Sequence, residues 1–168
     1  MDTAQATQFV CGDGNPNSGI IFIGEAPGAE EDKQGKPFVG RSGKLLTRAL
    51  EELGISRNDI FITNTVKCRP PGNRNPTPTE IDFFKQNILE KEIKIIQPSI
   101  IFLVGAIALK TLLNMNEISK IHGKSFYRNG ITFIPLYHPA YILRNPRLYD
   151  TFKHDLLPIL HNIKTVPV

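Results

Sequence analysis

Three polar residues stand just past apolar runs that look like strands, and their side chains are ones that do chemistry. Glu25 follows Ile20-Ile21-Phe22-Ile23-Gly24 in the turn Gly24-Glu25-Ala26-Pro27-Gly28. Asn64 follows Ile60-Phe61-Ile62-Thr63, and His138 follows the run that begins at Ile131. A carboxylate on a rigid loop can hold or activate water. A primary amide carries a donor and an acceptor side by side. Each residue also has a simpler reading. Glu25 could sit in a tight turn with the solvated acids Glu30, Glu31 and Asp32 behind it, Asn64 could be a turn residue, and His138 could cap a strand end before Pro139. Phe38, in the glycine-rich stretch Lys33–Gly43, could plug a core or line a pocket. Basic residues cluster in two proline-containing stretches: Lys67, Arg69 and Arg74 in one, Arg144 and Arg147 in the other. His122, His154 and His161 receive no role.

The elements that must position these residues alternate. Ile20–Ile23 reads as a buried strand that ends in a Gly/Pro turn. Ser42 reads as an N-cap for a helix with Leu45, Leu46, Ala49, Leu50 and Leu53 at helical spacing, stopped by Gly54. Ile60–Ile62 is the next strand, so the first stretch forms a βαβ unit and a parallel sheet. Residues 68–78 are loop, because that density of prolines removes both donors and helical geometry. Thr77 and Glu80 form a capping-box pattern with Pro78 at the first helical position, and a helix to about Ile96 presents Ile81, Phe84, Ile88 and Ile95 inward. Ile100–Val104 is unbroken apolar and reads as a central strand, followed by a short helix, Ala106–Leu113. Asn129-Gly130 signals a hairpin, and a last helix begins near Asn145-Pro146. The expected fold is α/β: a three-layer α/β/α sandwich with a central, mainly parallel sheet, in one domain over 1–168. Sites in such sheets form outside the carboxyl ends of the strands, so Glu25, Asn64 and His138 can converge on one crevice.

Bulk properties narrow the class. At 168 residues the chain suffices for one sizeable core. No apolar stretch approaches the roughly 20 residues that span a bilayer, and the start Met1-Asp2-Thr3-Ala4-Gln5 lacks signal-peptide character. Two cysteines, Cys11 and Cys68, make no disulfide framework. These features predict an intracellular, cytoplasmic protein without a membrane partner. A net charge of +4 and a pI near 9.1 are compatible with a polyanionic partner.

With those elements in place, the chain resembles family 4 of the uracil-DNA glycosylases. The resemblance rests on Gly24-Glu25-Ala26-Pro27-Gly28 with Glu31-Asp32 and Gly35-Lys36-Pro37-Phe38-Val39-Gly40, then on Asn64-Thr65-Val66-Lys67-Cys68-Arg69-Pro70-Pro71, and finally on His138-Pro139-Ala140-Tyr141-Ile142-Leu143-Arg144. The blocks fall in order between about Gly12 and Leu157. The resemblance implies hydrolysis of the N-glycosidic bond of uracil in DNA, single- or double-stranded, leaving an abasic site. It further implies that Phe38 stacks on a flipped uracil, Asn64 hydrogen-bonds O4 and N3, Glu31 stands near C5, His138 reaches O2, and Glu25 holds the attacking water. Gly24 and Ala26 would form part of the uracil-binding wall. Gly40, Arg41, Ser42, Lys67, Arg69, Arg74, Tyr141 and Arg144 would contact DNA, with the Tyr141–Arg144 loop as the wedge. A monomer is expected.

The chain departs from the family in one respect. Family members carry a [4Fe–4S] cluster on four cysteines; here only Cys68 matches a ligand position, and Phe84 aligns with the ligand in the following helix. The expectation is no metal and no cofactor, with Phe84 filling that space. Arg69–Pro78 contains no histidine, which sets aside the covalent DNA trapping of a related branch. The competing class is a non-catalytic, glycosylase-like domain that binds DNA or a replication partner. A nucleotide hydrolase is disfavoured, because no phosphate-cradling glycine loop with a lysine is present.

Overall fold

The computed structural model describes residues 7–162, so the ends of the expected 1–168 domain lie outside the described residues. Six strands form one sheet in the order β1-β3-β2-β4-β6-β5. The four central strands are β3 (Phe61–Asn64), β2 (Ile20–Gly24), β4 (Ile100–Val104) and β6 (Ile131–Leu136), and they run parallel. The short edge strands β1 (Asp13–Gly14) and β5 (Phe126–Arg128) are antiparallel. The sheet is mainly parallel, as expected.

Every residue of β2 and β4 is buried, the pattern of strands covered on both faces. Alternate residues serve opposite layers. Ile20, Phe22, Ile100 and Phe102 meet Leu46 and Leu50 of α2 (Arg41–Glu52), Ile142 of α7 (Pro139–Arg144) and Phe152 of α8 (Tyr149–Asp155). Ile21, Ile23, Ile101 and Leu103 meet Leu89, Leu109 of α5 (Ala106–Leu113) and Ile118 and Ile121 of α6 (Ile118–Ile121). Three layers result. Phe22 and Phe102, paired in register, stack at 4.6 Å. The hairpin turn has positive φ at both Asn129 and Gly130, as a two-residue primed turn requires.

Four local expectations are corrected. The acids after the opening turn are helical: α1 runs Ala29–Gln34 and ends at Gly35, whose φ of 72° suits glycine. Six residues are too few to show a helical apolar repeat. Ser42 is not the cap of α2; Gly40 is, and Ser42 lies in the first turn. The helix from Pro78 keeps its Thr77–Glu80 capping box but contains a π-helical segment, Lys85–Leu89, between α3 (Pro78–Phe84) and α4 (Glu90–Ile96). That widened turn advances the inner face, so Leu89, Ile93 and Ile96 follow Phe84 inward while Ile95 is 80% exposed. Residues 141–144 are not a loop, since they belong to α7.

Candidate active site

The opening turn is built as a backbone clamp. Gly24 and Asn64 are register partners across β2 and β3. Beyond them Thr65 donates both its N–H and its hydroxyl to the Gly24 carbonyl, at 2.9 and 2.7 Å, and Val66 N–H donates to the Glu25 carbonyl at 3.0 Å. The ends of two strands are thereby locked together, and Asn64 is held buried at their junction.

Phe38 is positioned by close approach. Its φ is 53°, a left-handed conformation that a bulky residue adopts only when the surroundings impose it. Arg57 imposes it by donating to the carbonyls of Pro37 and Phe38. From the other side Gly43 of α2 lies so close that a Cβ there would fall 2.0 Å from the Phe38 carbonyl. The ring then packs against Gly24, where a Cβ would lie 2.4 Å from Phe38 Cζ and 2.6 Å from Asn64 Oδ1. The missing side chain at Gly24 brings an aromatic face and an amide together.

Glu31 holds the third wall. Its carboxylate accepts from the N–H groups of Gly28 (3.0 Å), Val39 (2.9 Å) and Gly40 (2.6 Å), tying the opening turn to the Phe38 loop. Glu25 is half-buried, and no hydrogen bond or ion pair engages its carboxylate among the described residues. Burial raises its pKa, because an ion loses hydration there.

His138 comes from the end of β6 and caps α7, accepting the Ala140 N–H at Nδ1 over 3.0 Å. The capping role and a chemical role are therefore compatible. An Nδ1 that accepts carries no proton, so the neutral ring presents its N–H at Nε2. Burial, and then the charge of Arg144, lower its pKa and keep it neutral. Gly105, with φ 94°, lets β4 pass close to the ring; a Cβ there would lie 3.2 Å from Cδ2.

These pieces converge. Ala26, Glu31, Phe38, Asn64 and His138 line one cleft, with Ser42 at its side, enclosing about 190 Å³. That is below the roughly 300–1,000 Å³ of drug-sized ligand sites and suits one small planar ring. Gly24 and Glu25 are not in the lining: Gly24 lies behind Phe38 and Asn64, and Glu25 precedes Ala26. Roomier hollows of about 420 and 630 Å³ lie beside Arg57 and His122, and neither joins an aromatic face, an amide and an imidazole.

The expected DNA contacts divide. Arg41 and Arg144 are exposed, and Gly40 and Ser42 flank Arg41 at the start of α2. Arg69 bonds Asn73 at 2.7 Å, and Arg74 pairs with Glu80 at 2.7 Å. Lys67 is corrected. It is fully buried, with Nζ donating to Asn64 O (2.6 Å), Thr63 Oγ1 (2.5 Å) and Glu92 (2.5 Å), so it cannot touch a phosphate. Sequence reasoning missed Arg57, Gly43 and Glu92 as supports. Their contacts join distant segments and leave no local pattern.

The cluster expectation meets the following surroundings. Phe84 is buried and packs against Phe9 at 5.6 Å and Phe83 at 5.2 Å. Cys11 is exposed and Cys68 partly buried, and burial raises the Cys68 pKa. Among the described residues no group of three or more His, Cys, Asp or Glu could hold a metal ion. Two thiols and a packed phenyl ring do not fit a four-cysteine cluster.

Fold and cleft together define an α/β protein that can enclose a planar heterocycle at the carboxyl edge of its sheet. Comparison with known proteins gives the family. The family model of the uracil DNA glycosylase superfamily matches residues 11–161, and the chain belongs to that superfamily. It is 47% identical to a type-4 uracil-DNA glycosylase of Thermotoga maritima, over 83% of this chain and 73% of the relative. It is 44% identical to that of Sulfurisphaera tokodaii, over 91% and 74%, and 39% identical to that of Archaeoglobus fulgidus, over 91% and 81%.

Proposed function

We propose that this chain removes uracil from DNA by hydrolysing its N-glycosidic bond, in base-excision repair. The observation that carries the proposal is the single cleft in which Phe38, Asn64 and His138 meet. A base inside a duplex is out of reach, so the nucleotide leaves the stack and enters the cleft. Phe38 replaces the lost stacking. The Asn64 amide donates to O4 and accepts from N3–H, a pattern that cytosine reverses, and a mismatch leaves buried polar groups unpaired. Glu31, held by three backbone donors, forms a fixed wall against the C5 methyl of thymine.

As the bond between C1′ and N1 breaks, its electron pair passes to the base and the sugar becomes oxocarbenium-like. The Nε2–H of His138 donates to O2 as negative charge develops there. Glu25, with its raised pKa, holds the water that adds to C1′ and accepts its proton. Arg41, Arg69, Arg74 and Arg144 grip phosphates around the cleft. One chain supplies the whole cleft, so a monomer suffices. The presence of Glu25, Asn64 and His138 together favours catalysis over a non-catalytic DNA-binding or replication-partner role. We further propose that the protein acts on DNA inside the cell and without an iron–sulfur cluster; no described helix is long and apolar enough to cross a membrane.

The test is a labelled oligonucleotide with one uracil, incubated with the protein, treated with alkali and resolved by electrophoresis. Strand cleavage at the uracil is expected. Asn64→Asp should slow it by about 10²–10³-fold and admit cytosine. Retained DNA binding with no cleavage would support the non-catalytic reading instead, and full activity of Asn64→Asp would overturn the role of Asn64.

A further inference from the structure

Phe38 walls two cavities, the uracil cleft and the hollow of about 420 Å³ beside Arg57. Arg57 lines that hollow with a side chain only 17% exposed, and the same guanidinium donates to the Pro37 and Phe38 carbonyls. Its carboxylate partner, Asp13, stands 4.0 Å away. One face of α2 adds Lys44, Arg48 and Glu51, and the loop after α1 adds Lys36. Arg48 is committed to Glu52 and Tyr149. Lys36 and Lys44 are exposed, and neither ammonium has an ion pair or hydrogen bond among the described residues. Four cations thus line the hollow against two carboxylates, Asp13 and Glu51.

From this arrangement we propose that the hollow binds a small polyphosphate anion, pyrophosphate being the simplest, and that its occupation opposes uracil binding. The second part rests on the glycosylase reading; the first does not. The volume falls within the range of small-molecule sites. Phe38 is 7% exposed and offers no open ring face, so the hollow holds phosphates and not a base. Two uncommitted ammonium groups act as point charges, and a guanidinium fork matches phosphate oxygens. A terminal phosphate carries close to two charges and enters end-on, whereas a diester in a DNA strand carries one and has a chain to lead out at each end. Arg57 supplies the coupling. A charged phosphate oxygen is a stronger acceptor for its guanidinium than a neutral carbonyl, so the anion draws donors away from Pro37 and Phe38. The φ of 53° at Phe38 persists only while its surroundings impose it, and the ring that stacks on the base loosens. By reciprocity, uracil in the cleft weakens the anion by the same factor.

The test has two arms, each run on the wild-type chain and on the Lys36→Ala, Lys44→Ala double variant. In the first, pyrophosphate is titrated into DNA-free protein and the heat is recorded. Saturable one-to-one binding is expected, weakened at least tenfold in the double variant. In the second, fluorescence anisotropy compares two single-stranded oligonucleotides that differ only in carrying one uracil or one thymine, with pyrophosphate or with sodium chloride at equal ionic strength. The uracil nucleoside carries a fluorine beside C1′, so that it resists hydrolysis. Pyrophosphate should lower the wild-type preference for the uracil strand about tenfold and leave that of the double variant unchanged. No saturable heat, or heat unaltered in the double variant, would overturn the site. An equal uracil preference in pyrophosphate and in chloride would overturn the coupling. A double variant that binds the thymine strand more weakly, with a reduced salt slope, would make the DNA backbone the occupant and overturn the free anion. Excision of ordinary uracil is measured in parallel. Its failure sinks the glycosylase reading and the coupling with it, while the anion site stands or falls on the calorimetry.

Discussion

Gly24 and Asn64 face each other across β2 and β3, and the space where Gly24 lacks a side chain is filled by the Asn64 amide and the Phe38 ring. A Cβ at position 24 would sit at 2.6 Å from the first and 2.4 Å from the second. Both are rigidly held, Asn64 by the strand junction and Phe38 by Arg57 and Gly43, so the strain of Gly24→Ala must move the groups that recognise the base. Displacing a reacting ring by about 1 Å can cost roughly 10²-fold in rate. Gly24→Ala should therefore lose about that factor in uracil excision while circular dichroism shows a folded protein. Unchanged single-turnover excision would show that Phe38 and Asn64 are not the base-recognising pair.

Burial places Glu25 in tension between activity and stability. Its pKa lies above the ordinary carboxylate value, so the folded protein holds its proton to higher pH than the unfolded chain does. In the window between the two pKa values, stability therefore falls as pH rises. The acid limb of kcat/KM should therefore lie above the ordinary glutamate range. Glu25→Gln should lower the rate about 10²-fold, flatten that limb, and melt at a slightly higher temperature at neutral pH. A pH profile of Glu25→Gln that retains the wild-type limb would assign it to another group.

Lys67 lies beneath the site. Its ammonium is out of water and tied to Glu92, Thr63 and the Asn64 carbonyl. Desolvation lowers its pKa against the opposing pull of Glu92. Breaking a buried pair by removing one partner strands the other, at a cost of about 3 kcal/mol. Lys67→Met should show that loss by chemical denaturation, and Lys67→Met with Glu92→Leu should recover part of it. The salt dependence of DNA binding should be that of wild type, whereas a residue that contacts a phosphate would reduce the slope by about one unit.

The mainly parallel sheet, the covered central strands, the hairpin and the capping box of α3 were legible because their signals are local: apolar runs, a Thr-x-x-Glu pattern and an Asn-Gly turn. The convergence of Asn64 and His138 was legible from the same source, since parallel strands deliver their ends to one edge. The supports were not. Arg57 reaches the Pro37 and Phe38 carbonyls from a polar turn that resembles any other. Lys67 stands in a loop rich in arginines and reads as one of them, although the helix behind it supplies Glu92. The π-turn that brings Leu89 and Ile93 inward in place of Ile95 follows from packing of the whole helix, and no residue between 85 and 89 announces it.

The central claim is that His138 stabilises the departing uracil through a neutral Nε2–H, its tautomer set by the bond from Ala140 N–H to Nδ1. Single-turnover excision measured beside equilibrium DNA binding tests it most directly. For His138→Ala the chemical step should slow by about 10²–10³-fold, while binding of uracil-containing DNA stays within about twofold. Equal losses in rate and affinity would contradict the claim and leave His138 as no more than the cap of α7.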